Sequence, residues 1–222
     1  MMLSAVMEDY LKTIYQLQLE TDERVGTSAI ADRLDVTPPT VSSMLEKLDD
    51  RGLLDRKKYG GVTLTEDGER VALEVIRHHR LLEAYLTEHL DYTWSEVHEE
   101  ADRLEHHISE EFEARVADAL GNPDTDPHGD PIPSPDLRPP AVTPLHTVAD
   151  QDLGTVVRVS RVSDRDPDVL EYLSERGIEP GTELTVTEIA PFGMVTVDTQ
   201  DDDSVSLPEG IANRIRVEPI EA

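Results

Sequence analysis

The residues best suited to chemistry lie in one segment, residues 98–107, which reads HEEADRLEHH. Its four candidate metal ligands are His98, Asp102, Glu105 and His106. Their spacing of i, i+4, i+7 and i+8 predicts that all four share one face of an α-helix. Two carboxylates and two imidazoles beside an apolar stripe are costly to bury without a partner, and a divalent cation is the simplest partner. The alternative is a solvated acidic helix face that binds nothing.

Composition restricts both the kind of site and the kind of partner. The chain has no cysteine, which excludes thiolate metal sites and cysteine catalysis, so any metal must be held by nitrogen and oxygen atoms. The net charge of −28 at pH 7 argues against nucleic acid as a partner. Residues 36–65 nevertheless carry a net charge of +1, because five basic residues there outnumber four acidic ones. This segment is therefore the one expected to approach DNA.

Length and hydropathy give three broader expectations. The 222 residues suit two small domains better than one. No apolar run approaches 18 residues and the N-terminus is not signal-like, so we expect a soluble, cytoplasmic protein without a membrane partner. Four lysines in so acidic a chain suggest adaptation to high salt, as in a halophile, and an acidic partner-binding surface is the alternative explanation.

The N-terminal part of the chain predicts a helix-turn-helix. A short helix at 27–34, a turn at 35–37 and a longer helix at 38–51, stopped by Gly52, give the pattern, with Thr37 as the N-cap of the second helix. That helix would enter the major groove of DNA. The residues predicted to contact DNA from this element are Thr37, Pro39, Thr40, Ser42, Ser43, Lys47 and Arg51. The alternative is an ordinary helical hairpin.

A wing is predicted directly after the second helix. Residues 53–64 have the composition of two short strands around a Tyr59-Gly60-Gly61 turn. Lys57, Lys58 and Tyr59 at the tip fit a contact with phosphate or with the minor groove. Together with the two helices, this hairpin completes a winged-helix DNA-binding unit.

The rest of the chain predicts a helical part, a linker and a β part. Thr65 should cap a helix running to about residue 90, and Ser95 a central helix running to about residue 120. Residues 121–148 hold eight of the fifteen prolines and are predicted to be a linker with little regular structure. Strands are predicted at 155–162, 184–189, 194–197 and 215–217, with a short helix at 168–176.

The predicted fold class is α+β. It combines an N-terminal winged helix-turn-helix, a helical metal-binding and dimerisation domain, and a small C-terminal SH3-like β-barrel. The predicted domain boundaries are 1–65 for the DNA-binding domain, 66–122 for the helical domain, 123–149 for the linker and 150–222 for the β domain.

This order of elements resembles the DtxR/MntR family of metal-dependent repressors, with a β domain of the FeoA type. The motifs that carry the resemblance are MEDYLKTIY at 7–15, PTVS at 39–42, HRLLE at 79–83 and EEADRLEH at 99–106. The resemblance covers essentially the whole chain. It implies a homodimer, not an enzyme, that binds double-stranded operator DNA when loaded with Fe²⁺ or Mn²⁺ and represses metal-uptake genes. No small-molecule substrate is implied.

The resemblance also implies two metal sites in each subunit. The DNA-proximal site would use Asp9, Asp102, Glu105 and His106. The second site would use His79, Glu83 and His98, with Asp126 and His128 of the linker and Asp166 of the β domain completing it. Iron-type relatives have Met and Cys where Asp9 and Asp102 stand, and manganese-type relatives usually have Glu where Lys12 stands. The first site is therefore all oxygen and nitrogen, and a strict binuclear manganese site is not implied.

Metal at the first site would join the first helix to the central helix. That connection would set the winged helices of the dimer so that they fit successive major grooves. Two alternatives come from other classes of protein. A two-metal hydrolase would use similar ligands, but no nucleophile or general-base motif accompanies them. A winged-helix regulator that senses a non-metal ligand would leave the four-ligand stripe without a role.

Overall fold

The computed structural model describes residues 3–21, 24–57, 60–140, 146–191, 193–200 and 203–220. The chain forms two compact units. The first consists of Met1–His79, Glu105–Ile108 and Pro133–Pro140, and the second of Arg80–Leu104, Ser109–Ile132 and Ala141–Ala222. In the described ranges, no helix is both long enough and apolar enough to cross a membrane.

The first unit contains the predicted winged helix. Its elements are α1 (Ala5–Thr21), α2 (Thr27–Leu34), α3 (Pro38–Asp49), β1 (Leu54–Lys57), β2 (Gly61–Leu64) and the first part of α4 (Glu66–Leu90). The strands pair antiparallel from Leu54 opposite Leu64 to Lys57 opposite Gly61. One apolar core joins these elements, because α1, α2 and α3 each turn a fully buried side chain inward, for example Leu11, Ile30 and Leu48. The helix-turn-helix and the hairpin are therefore confirmed.

The turn between α2 and α3 holds the second helix at its predicted start. Asp35 adopts a left-handed conformation with φ of 50° and ends α2. Thr37 occupies the N-cap position of α3, as predicted, but its side chain makes no capping hydrogen bond. Its Oγ1 lies 2.9 Å from Oγ1 of Thr40 instead. The proline pair at the start of α3 supplies the fixed backbone angle that suits a first helical turn.

The start of α4 is fixed by a side-chain cap and by close packing. Thr65 Oγ1 accepts a hydrogen bond from the Gly68 amide at 3.2 Å and donates one to the Gly52 carbonyl at 2.7 Å. A Cβ at Gly68 would lie 1.9 Å from the Leu53 carbonyl oxygen, so glycine is required there. The helix then runs to Leu90, which confirms the prediction for this element.

The central helix is not continuous, so the prediction of one helix from Ser95 to about Leu120 is wrong. The structure has α5 (Val97–Leu104) and α6 (Glu110–Ala119), separated by a turn at residues 105–107. Ser109 caps α6 by accepting a hydrogen bond from the Phe112 amide at 3.3 Å, and this new helix start competes with continuation of α5. Glu105 and His106 therefore lie in the turn after α5 and not within a helix.

The second unit contains a six-stranded antiparallel sheet. Its strands are β3 (His146–Thr147), β4 (Val156–Val162), β5 (Glu183–Ala190), β6 (Met194–Thr199), β7 (Ser204–Leu207) and β8 (Ile215–Pro219), in the order β3-β8-β4-β5-β6-β7. The helices α7 (Pro167–Ser174) and α8 (Glu209–Ala212) pack on the same apolar cluster. Four strands and α7 were predicted from the sequence. The strands β3 and β7 and the helix α8 are too short for periodicity to show them.

The described part of the predicted linker contains a defined turn at residues 126–130. Asp126 Oδ1 accepts hydrogen bonds from the amides of His128 and Asp130, each at 2.9 Å. Gly129 has a φ of +85°, and a Cβ there would lie 2.0 Å from the Ser160 carbonyl oxygen of β4. The His128 carbonyl accepts a hydrogen bond from the Val162 amide at 2.9 Å. This turn is therefore fixed against β4.

Candidate metal centres

The first centre lies entirely within the first unit. Helix α1 supplies Asp9, and the turn after α5 supplies Glu105 and His106, with ligand atoms that all lie within 4.8 Å of one another. His106 Nε2 is 2.8 Å from Asp9 Oδ1 and 3.3 Å from Glu105 Oε1. Glu105 is almost completely buried, with 1% of its side chain exposed. The structure thus brings together three of the four residues predicted for the DNA-proximal site.

The donor set of this centre fits a divalent cation. His106 Nδ1 lies 2.7 Å from Glu8 Oε2, which orients the ring so that Nε2 faces Asp9 and Glu105. Carboxylates and imidazole together suit manganese or ferrous iron.

Burial and charge act in opposite directions on the two carboxylates of the first centre. Burial raises the pKa of Asp9 above its usual value, although the neighbouring imidazole of His106 opposes the change. For Glu105, burial also acts to raise the pKa, but hydrogen bonding to His79 and the charge of Lys12 outweigh it and lower the pKa below its usual value. Glu105 is therefore kept ionised by its neighbours, ready to bind a cation.

His79 lies beside Glu105 in the first unit, and its assignment to the second site stays a prediction. Its Nδ1 is 2.6 Å from Glu105 Oε2 and 3.2 Å from Lys12 Nζ. The Lys12 ammonium in turn donates to both oxygens of Glu105, at 2.8 and 3.1 Å. One oxygen of Glu105 thus faces Asp9 and His106, and the other faces His79.

The second centre lies within the second unit and is built around Glu83 of α4. Glu83, Asp126 and His128 are all buried and offer ligand atoms within 4.8 Å of one another. His128 Nδ1 is 3.7 Å from Glu83 Oε2 and has no hydrogen-bond partner among the described residues. The ring is held on its other side, because Nε2 lies 2.9 Å from the Trp94 carbonyl oxygen and the ring stacks on Trp94. A buried ring nitrogen aimed at a carboxylate without a bond is a place that a cation would fill.

His98 and Asp164 extend this second centre. His98 Nδ1 lies 3.1 Å from Glu83 Oε1 and 3.4 Å from Asp164 Oδ2. The β domain thus supplies Asp164, whereas Asp166, the residue predicted for this role, accepts a hydrogen bond from Arg214 at 2.7 Å. Asp102, predicted for the first site, lies in the second unit with its carboxylate 3.6 Å from His98 Nε2.

Charge and burial shift the two linker residues of the second centre. Burial lowers the pKa of His128, but the adjacent Glu83 carboxylate outweighs burial and raises the pKa to about 9. Burial raises the pKa of Asp126 well above its usual value, and the nearby Glu83 and Asp130 carboxylates add to the effect. Arg80 opposes it, with Nε 3.5 Å from Asp126 Oδ2. Without metal, His128 therefore carries a proton that a cation would displace.

The predicted DNA-contacting residues lie on the surface of the first unit where they are described. The exposed ones are Thr37, Pro39, Thr40, Ser43, Lys47, Arg51 and Lys57, and Ser42 is half-buried. Lys58 and Tyr59 lie outside the described residues. The opposite face of α3 is buried through Val41, Leu45 and Leu48, so the helix presents its small polar side chains to solvent.

Three residues of these centres were not proposed as ligands or orienting groups from the sequence. Glu8 contacts His106 and directly precedes the predicted ligand Asp9. Two adjacent carboxylates were the one sequence feature that could have indicated its role. Asp164 lies two residues before Asp166, the residue predicted from the sequence, and no signal in the sequence distinguishes the two. Lys12 departs from the family pattern, and only the folded chain shows that it contacts Glu105.

Comparison with known protein families gives three consecutive matches. Residues 2–62 match the family described as iron dependent repressor, N-terminal DNA binding domain. Residues 65–134 match iron dependent repressor, metal binding and dimerisation domain. Residues 146–219 match the FeoA domain. The chain is thus covered almost from end to end by these matches.

Individual relatives cover the same extent. The chain is 35% identical to the iron-dependent repressor IdeR of Mycobacterium tuberculosis (strain ATCC 25618 / H37Rv) over 226 residues, 96% of each protein. It is 31% identical to the diphtheria toxin repressor of Corynebacterium glutamicum over 223 residues, again 96% of each. Among solved structures, a manganese-dependent transcriptional repressor in complex with manganese is similar with a TM-score of 0.89 and 39% identity, covering 96% of this chain and all of that one.

Proposed function

The chain belongs to the iron-dependent repressor family of metal-dependent transcriptional repressors, and from that premise we propose that Fe²⁺ or Mn²⁺, bound at two centres per subunit, switches on its binding to operator DNA. The family consists of DNA-binding repressors and not of enzymes, so the hydrolase alternative is wrong. The genes repressed would be those for uptake of the same metal. The relatives include proteins named for iron and structures named for manganese, so we propose either ion as the activating metal.

The observation that carries this proposal is the convergence of Asp9, Glu105 and His106. Asp9 belongs to α1, which packs in the same core as the helix-turn-helix, whereas Glu105 and His106 come from a turn far away in sequence. Asp9, Glu105 and His106 would hold a divalent cation, whose positive charge would offset the repulsion between the two carboxylates. The three side chains then fix α1 relative to that turn, and through the shared core they restrict the recognition helix α3. Asp102 stays a prediction for this centre.

The surface of α3 supports DNA as the partner of the first unit. Small polar side chains and Pro39 on its exposed face allow close approach to base edges, and Lys47 and Arg51 suit phosphates. A homodimer would present two such helices. The family match to a dimerisation domain supports that assembly.

The second centre, in this proposal, stabilises the metal-loaded form. Its ligands would be Glu83, His98, Asp126, His128 and Asp164. They come from α4, α5, the linker turn and the β domain, so a cation there would connect four segments of the second unit. Asp126 is already engaged by two backbone amides and approached by Arg80, so we expect its contribution to be weaker than that of Glu83 and His128.

The proposal is tested by titrating operator binding with Fe²⁺ and with Mn²⁺ separately, under anaerobic conditions. We expect no specific binding in the presence of a chelator and saturable binding when either ion is restored. Repeating the titration at low and high salt separates the metal effect from general screening of phosphate contacts. Operator affinity that is the same with chelator and with metal would overturn the proposal and favour a regulator that senses another ligand.

Metal binding at the second centre should release protons. Because the pKa of His128 is raised to about 9, this side chain is protonated at pH 7 and must lose its proton before Nδ1 can bind a cation. Affinity at this centre should therefore rise with pH up to about 9. Calorimetry in buffers of different ionisation enthalpy measures the protons released when metal binds. The parent chain should release about one more proton per subunit than His128→Gln. His89→Gln, a change on the exposed end of α4, is the control, and equal release by the chain and His128→Gln would contradict the assignment.

A further inference from the structure

Lys12 places an ammonium directly beside Glu105 and His79. The residue lies on α1, three residues after Asp9, and its side chain is mostly buried, with 13% exposed. Nζ lies 2.8 Å from Glu105 Oε2 and 3.2 Å from His79 Nδ1, and those two atoms are 2.6 Å apart. A cation provided by the chain itself thus touches a carboxylate and an imidazole at one point.

Glu105 divides its two oxygens between two neighbourhoods. Oε1 lies 3.3 Å from His106 Nε2 in the first centre, and Oε2 lies 2.6 Å from His79 Nδ1. The Lys12 ammonium donates to both oxygens and lies closer to Oε2, at 2.8 Å, than to Oε1, at 3.1 Å. A carboxylate arranged in this way can bridge two cations, one at each oxygen. In this chain the second of the two positions is filled by Lys12.

The charged side chains that the first unit itself supplies to the first centre balance a single divalent ion; Asp102 belongs to the second unit and is not counted with them. The carboxylates of Glu8, Asp9 and Glu105 carry three negative charges, and the ammonium of Lys12 carries one positive charge. The net charge of −2 is neutralised by one divalent ion. Two divalent ions would leave an excess of +2 in a partly buried cluster, which is unfavourable.

We propose that Lys12 is a built-in cation that takes the place of a second metal ion and limits the first centre to one divalent ion. The inference rests on the proposed function, because it concerns the same centre. Lys12 acts by charge and by occupying space next to Glu105 Oε2 and His79 Nδ1. Replacing it with a carboxylate reverses both effects, because the net charge becomes −4 and a third donor joins those two atoms.

The variant Lys12→Glu should therefore hold one more metal ion per subunit than the parent chain. The measurement is the number of Mn²⁺ ions per subunit by elemental analysis after equilibrium dialysis at saturating Mn²⁺, with folding checked by circular dichroism. Arg115→Glu is the matched control, because it makes the same change of charge on an exposed part of α6. That control should bind the same number of ions as the parent chain.

A second variant keeps the proposal testable if Lys12→Glu does not fold. Lys12→Met removes the ammonium without adding a donor, so Mn²⁺ should bind the first centre about tenfold more tightly while the number of ions stays the same. A folded Lys12→Glu with the parent's number of ions, or a Lys12→Met with the parent's affinity, would overturn the inference. If the parent chain itself bound no metal at Asp9 and His106, the proposed function would fail instead, so the two failures are distinguishable.

Discussion

Asp9→Ala and His106→Ala are each expected to remove metal-stimulated operator binding while leaving the fold intact. Each substitution deletes one of the three side chains that converge in the first centre, and His106 contributes the only nitrogen among them. Removing a residue that merely orients a metal ligand typically lowers metal affinity by about 10- to 100-fold, so losing a ligand itself should cost at least about 100-fold. Operator binding at ordinary metal concentrations should fall in proportion.

Glu99→Ala provides the control for these two variants. Glu99 is an acidic residue on α5, but its side chain is 70% exposed and pairs with Arg103 on the surface. Its removal should leave the metal requirement unchanged. The measurement is operator affinity by fluorescence anisotropy as a function of free Mn²⁺, with thermal unfolding to confirm the fold. Operator binding by Asp9→Ala and His106→Ala at the parent's metal concentration would show that the switch lies elsewhere.

Gly129→Ala should destabilise the second unit and also lower its metal content. The backbone at Gly129 has a φ of +85°, which costs an L-residue about 1 kcal/mol, and the added Cβ would meet the Ser160 carbonyl oxygen at 2.0 Å and the Arg161 Cα at 3.0 Å. The overlap with rigid backbone adds about 2 kcal/mol. Relief requires the turn to move away from β4, which carries Asp126 and His128 out of the second centre.

Gly154→Ala separates the cost of backbone strain from the cost of steric overlap with β4. Gly154 has nearly the same backbone angle, a φ of +84°, but nothing lies within 4 Å of the position of its Cβ. We therefore expect Gly154→Ala to lose only about 1 kcal/mol, the strain component, and to keep its metal. The measurements are denaturant unfolding and metal content per subunit. Equal losses of stability in the two variants would mean that the contact with β4 does not hold the linker turn.

Elements with local signals could be predicted from the sequence. Thr65 caps α4, and the hairpin between Leu54 and Leu64 forms around the predicted glycine turn, because caps and turns are decided by a few adjacent residues. The prediction of one continuous central helix was wrong because a local cap interrupts the helical pattern. Ser109 offers a second helix start within an amphipathic pattern, and periodicity alone does not reveal where a chain exchanges one helix for the next.

The candidate sites were predictable as residue types but not as exact partners. Asp9 and His106 are far apart in the sequence, and family motifs were needed to place them together. Asp164 rather than Asp166 lies beside His98, because the residues before α7 turn one carboxylate toward α5 and the other toward Arg214. Which of two nearby acidic residues points to a site depends on the backbone path, which the composition of the segment does not specify.

The central claim is that metal at the first centre and operator DNA strengthen each other's binding. Its most direct test is the affinity for Mn²⁺ measured with and without a saturating operator duplex, in the parent chain and in Asp9→Ala. We predict that the operator raises Mn²⁺ affinity by the same factor by which Mn²⁺ raises operator affinity, within about 5- to 150-fold, and that Asp9→Ala loses this coupling. Mn²⁺ affinity in the parent chain that does not change when the operator is added would contradict the account.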